Sequence, residues 1–161
     1  MKVKTVLVVL MLMFCSVFAG CTGAGGGGNT LPNNPTNSKF NSTPQISIVA
    51  ELGENILGYP NVTAQITNNS EKDIAALRFY VQYYDVYGDI TTNYIDANKL
   101  SCDNTILSGA SYTGVWQFYN EKIKSVDLYI YSIYYADGSE WGDKDATKST
   151  ILNNGYKIQV V

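Results

Sequence analysis

Leu77-Arg78-Phe79-Tyr80-Val81-Gln82-Tyr83-Tyr84 decides the fold class of this chain. Leu77, Phe79, Val81 and Tyr83 alternate with Arg78, Tyr80, Gln82 and Tyr84, the period of a half-buried strand. The next four residues, Asp85-Val86-Tyr87-Gly88, place Asp first and Gly fourth, which suits a type I turn. Upstream, Val62, Ala64 and Ile66 alternate with Thr63, Gln65 and Thr67, and Asn68-Asn69-Ser70 closes that strand with turn chemistry. Ile46–Ala50 is an earlier strand, and Pro60 separates the two.

Downstream the same reading continues. A short strand is expected over Ile90–Ile95, loop over most of Asp96–Ser108, and strand again over Tyr112–Phe118. Val126, Leu128 and Ile130 alternate with Asp127, Tyr129 and Tyr131, and the phase slips near Ser132, as a β-bulge would make it. Asp137-Gly138 between Tyr134-Tyr135 and Glu140-Trp141 signals a hairpin. Asn153-Asn154-Gly155 marks a turn before Tyr156, Ile158 and Val160. No long stretch shows helical periodicity. Seven to eight short antiparallel strands with regular turns predict an all-β, immunoglobulin-like sandwich over residues 46–161.

The N-terminus has a different character. Lys2 and Lys4 precede an apolar run from Thr5 to Phe18, then Ala19-Gly20-Cys21. A positive start, a short apolar core and small residues at the cut make a signal peptide over residues 1–20. The run falls short of the roughly 20 apolar residues that a membrane span needs. The pattern resembles a bacterial lipoprotein signal, which implies that Cys21 becomes the lipidated first residue. Cleavage after Ala19, releasing the protein, is the alternative that the same residues allow. Residues 21–45, rich in Gly, Asn and Pro, read as a flexible tether. The expected location is the extracytoplasmic side of a cell membrane, with the membrane itself as partner through the lipid.

Composition narrows the chemistry. Of 11 basic residues Lys2 and Lys4 leave with the signal, so 9 face 14 acidic ones, a net charge of −5. That balance argues against nucleic acid as a partner. The chain lacks histidine, the commonest general base and metal ligand. Cys15 leaves with the signal and Cys21 is modified, so Cys102 has no internal disulfide partner and reads as a small buried hydrophobe or quiet free thiol, with intermolecular pairing as the alternative. Gly23-x-Gly25-x-x-Gly28 matches a dinucleotide motif in letters only, without the strand before it and the helix after it. Asp143-x-Asp145-x-Thr147 begins like a calcium loop, but Lys148 stands where that loop needs Gly. No catalytic residue, cofactor or metal site is expected.

Three segments carry a family likeness. Asn68-Asn69-Ser70, then Val81-Gln82-Tyr83-Tyr84-Asp85 with Gly88, then Leu107-Ser108-Gly109, resemble the FxLYD-type domain. Val81 and Tyr83 stand where that family carries Phe and Leu. The stretch Tyr134–Gly142 resembles the ending of clostridial lipoprotein domains. The resemblance implies an immunoglobulin-like sandwich in an exported Gram-positive lipoprotein, and supplies no catalytic residues.

The candidate binding residues are Tyr80, Tyr84, Tyr129 and Tyr131. If their two strands pair, these rings share the face opposite the core; an exposed aromatic patch marks a binding surface, and the alternative is that tyrosine, a good strand former, simply covers the outer face. The expected function is a non-catalytic, lipid-anchored module touching an envelope protein or glycan. The alternative is a substrate-capturing lipoprotein serving a transporter or envelope enzyme. A deep ligand pocket would favour the alternative.

Overall fold

The computed structural model describes residues 38–95 and 98–161. The described strands are β1 Ile46–Glu54, β2 Pro60–Asn68, β3 Ile74–Tyr84, β4 Ile90–Thr91 and β5 Lys99–Cys102. They continue with β6 Ser111–Gln117, β7 Ser125–Tyr135, β8 Glu140–Gly142 and, after helix α1 Lys148–Asn154, β9 Tyr156–Ile158. β1-β2-β6 form one antiparallel sheet; β3 and β7 are the centre of the other, with β4 and β5 along β3, and β8 and β9 along β7. First, second and sixth strands against third and seventh is the immunoglobulin-like arrangement.

The alternation in the sequence decides what lies between the sheets. Val62, Ala64 and Ile66 of β2 face Leu77, Phe79, Val81 and Tyr83 of β3 and Leu128 and Ile130 of β7, all almost fully buried. Each such side chain contributes roughly 1.5–3 kcal/mol on burial. Phe118 packs edge-on against Tyr83 at 5.0 Å, and Cys102 is buried in the same cluster. The expected bulge is present: Arg78 pairs with Ser132 but Phe79 with Ile130, so Tyr131 is the extra residue.

Three hairpin turns share one backbone. Asn55, Asp85 and Tyr135 each bond through N–H to the carbonyl four residues on, and each accepts from the N–H of the glycine three residues on. Gly58, Gly88 and Gly138 stand at φ of 78°, 82° and 84°, a region open to glycine and costly for other residues. Asn55 Oδ1 and Asp85 Oδ1 each accept two further backbone N–H groups from their own turns.

Four details differ from the sequence reading. The strand expected over Ile90–Ile95 is only Ile90–Thr91. Lys99–Cys102, expected as loop, pairs along β3. The turn expected at Asn153-Asn154-Gly155 is the end of α1. The packed body also begins before Ile46: Phe40 meets Trp141 edge-on at 5.6 Å, Trp141 Nε1 donates to Ser42 O at 2.7 Å, and Pro44 is buried. The signal sequence, Cys21 and the rest of the expected tether lie outside the described residues. Among the described residues no helix is long and apolar enough to cross a membrane.

Candidate functional site

The tyrosine face is not an exposed patch. Tyr80, Tyr129 and Tyr131 are 4 %, 9 % and 1 % exposed and form a second small core with Ala146 and Ile151. Helix α1 lies on that face, held by Ile151, and Thr147 caps it by accepting from Thr150 N. The Lys99 and Lys157 ammonium groups stand 5.2 and 5.7 Å from the Tyr131 and Tyr129 ring centres. Tyr84 alone is half-exposed, and its hydroxyl donates to Asp127 Oδ2 at 3.1 Å. Burial pushes the Tyr131 hydroxyl above its ordinary pKa, with Arg78 pulling it down; burial and then the Asp127 carboxylate raise that of Tyr84. The helix escapes a periodicity search because it has two turns, one buried residue and no strong apolar stripe. Ile151→Ala is expected to lower stability by about 2 kcal/mol. It should also raise nitration of Tyr129 and Tyr131, read by peptide mass spectrometry; unchanged labelling would show that the helix does not guard them.

Strand directions separate the two ends of the sandwich. β1 ends at Glu54 opposite Pro60, β3 ends at Tyr84 opposite Ile90 and Ser125, and β6 ends at Gln117 opposite Asn61. One end therefore gathers loops 55–59, 85–89, 92–95 and 118–124. They are tied together: Tyr119 N donates to Asn93 Oδ1 and Asn120 Nδ2 to Thr92 O, the Tyr59 and Tyr119 rings are 6.1 Å apart, and Lys124 pairs with Glu54 at 3.3 Å. The chain enters the domain at the other end, where Asn69 N bonds to Gln45 O.

The end remote from this entry is apolar. Ile56, Leu57, Val86, Tyr87, Ile90, Tyr94, Ile95 and Tyr119 are all exposed there, Ile56 completely and Tyr87 to 87 %. The shared turn makes the contrast direct. At its two tip positions the remote end carries Ile56-Leu57 and Val86-Tyr87, whereas the entry end carries Ala136-Asp137. The turn backbone does not require apolar tips, since polar residues normally fill such positions. Only contiguous exposed apolar patches of several hundred Å² carry meaning; apolar residues scattered singly on a surface are ordinary. The sequence signal was available in the repeated pattern of Asx, two apolar residues and Gly at 55–58 and 85–88.

The entry end is more polar, with Leu107 the exposed aliphatic side chain on its 107–110 turn. Its groove, about 710 Å³, runs between Thr43-Pro44-Gln45, Asn69 to Lys72 and the β7–β8 hairpin, and it is open to solvent. Lys72 pairs with Asp137 at 2.7 Å beside it, and hydrogen bonds from Lys72 and Ser139 hold the Asp137 carboxyl well below the usual carboxylate range. The carboxylates considered for calcium have partners: Asp143 Oδ1 accepts from Lys39 Nζ and Asp145 N, and Asp145 pairs with Lys144.

No protein-family model and no curated protein matches the chain. Among solved structures it is similar to a DUF1425 family member from Shewanella sp. pv-4, at 15% identity over 53% of this chain and 75% of that one, with a TM-score of 0.43. It is also similar to a hypothetical protein from Peptoclostridium difficile 630, at 10% identity over 70% of this chain and 98% of that one, with a TM-score of 0.46. Likenesses of this size assign no role to any residue.

Proposed function

We propose that the chain is a lipid-anchored, non-catalytic contact module on the extracytoplasmic side of a bacterial membrane, related to the FxLYD-type lipoprotein domains. Cys21 carries the lipid and the remote loop end makes the contact. The observation behind this reading is polarity of layout: the chain enters the sandwich at one end, and eight exposed apolar side chains crowd the other. Hydrocarbon chains on Cys21 hold firmly when two are present, since one is marginal. A substrate-capturing lipoprotein would need an enclosing pocket, and the entry-end groove is open.

Cys21→Ala is expected to abolish incorporation of radiolabelled palmitate and to move the protein from the membrane fraction to the medium. Unchanged label in the variant would defeat the anchoring half of the reading.

A further inference from the structure

The contact surface has the layout of a membrane-interface wedge. We propose that the tips of the 55–59, 85–89 and 92–95 loops insert into the interfacial layer of a lipid bilayer; this rests on the loop end being the contact surface.

Three observations favour a bilayer over a folded protein as the occupant. The first is shape. Ile56-Leu57 and Val86-Tyr87 stand on two different hairpin turns, and the residues lining the concavity between Leu52–Glu54, Pro60 and Ile123-Lys124 include none of the exposed apolar tips. Protein contacts concentrate their energy where an anchor fills a pocket, whereas a fluid interface accepts separate wedges.

The second is the order of charge along each loop. Ile56-Leu57-Gly58-Tyr59, Val86-Tyr87-Gly88 and Ile90–Ile95 contain no charged residue. On these three stretches the charges stand at the bases: Glu54, paired with Lys124, Asp85, capping its own turn, and Asp89; Glu121 and Lys122 stand at the tip of the neighbouring 118–124 loop, which stays among the headgroups. Tips enter the acyl boundary while bases stay among headgroups, the layering of an interfacial element. Acidic bases outnumber basic ones, so the fitting headgroup is zwitterionic rather than anionic.

The third is residue type. Tyr87, Tyr94 and Tyr119 accompany Ile56, Leu57, Val86, Ile90 and Ile95. Tyrosine gathers at membrane–water boundaries because its ring is apolar and its hydroxyl stays wet.

The test uses the full chain with a polarity-sensitive fluorophore at Val86→Cys or at Ala136→Cys, the same position of the same turn at opposite ends. Vesicles are phosphatidylcholine, with or without brominated acyl chains, and a parallel set contains phosphatidylglycerol. Co-sedimentation reports the anchor; quenching by bromine reports the tips. The Val86 label is expected to lose about half its emission, the Ala136 label little, as for a side chain that reaches the acyl boundary. Adding Ile56→Asp and Tyr87→Asp should remove that quenching while sedimentation persists. Phosphatidylglycerol should weaken the quenching. Equal, weak quenching at both positions on sedimenting protein would overturn the proposal and leave the anchor intact. So would a Val86 label shielded from iodide in native envelopes but untouched by brominated lipid, since a protein would then cover the tips. Should the chain fail to sediment, the anchor reading falls, and an unchanged Val86 label at millimolar lipid would then overturn the insertion as well.

Discussion

Gly142→Ala is expected to cost about 3 kcal/mol, a large share of the roughly 5–15 kcal/mol that holds an ordinary small domain folded. Two effects add at this position. Gly142 has φ +80°, and a side chain in that left-handed region costs roughly 1–2 kcal/mol. A methyl group there would also sit inside the carbonyl of Tyr131, the bulged residue of β7, and press on Ser132 Cα, its pairing neighbour. Backbone cannot step aside as a flexible side chain can, so overpacking adds about 1–3 kcal/mol. Gly88 separates the two effects: its φ is +82°, but a methyl group there meets open space. Gly88→Ala should therefore cost only about 1 kcal/mol. Urea denaturation of both variants measures the difference; equal costs would show that the bulge at Tyr131 tolerates the intrusion.

Asn68→Ala is expected to be about as severe, at roughly 3 kcal/mol. Asn68 ends β2 with its side chain wholly buried, yet every polar atom of the amide is used. Its Nδ2 donates to Lys72 O at 2.8 Å and to Ile106 O at 3.0 Å, while Oδ1 accepts from Ser70 N at 3.0 Å and Ser70 Oγ at 2.7 Å. This one amide ties the β2–β3 turn to the 106–110 segment, where Asn68 backbone groups also bond Gly109 and Ala110. Truncation leaves buried partners unsatisfied, each costing about 1–3 kcal/mol. Asn68→Asp keeps the shape but turns a lone pair toward two carbonyls, so it should not rescue stability at neutral pH. Thermal unfolding of the two variants checks this; a loss below 1 kcal/mol for Asn68→Ala would mean that water replaces the amide.

The same residue shows why the fold was readable. Asn68-Asn69-Ser70 was legible as a turn because its chemistry is local, and β3 and β7 because long alternating runs record burial on one face. The bulge was legible as a slip of phase at Ser132. β5 was not: four residues with only Cys102 buried leave too short a record. Burial of the tyrosines was illegible for a different reason. Alternation shows which side chains share a face, not what covers it, and the cover comes from Ile151, Ala146 and Phe40, remote in sequence. The apolar tips are a third case: turn chemistry in the sequence specifies the backbone, and the same letters Ile56-Leu57 and Val86-Tyr87 say nothing of which turns share one end.

Hydrogen exchange on the full chain, in native envelopes against detergent solution, tests the central claim that the remote loop end makes the contact. Slowed exchange is expected at amides of residues 56–59, 86–95 and 119–124, with little change along β1, along β6 and in the 136–139 turn. Protection confined to the entry end or to the outer face of the three-stranded sheet, or none anywhere, would contradict it.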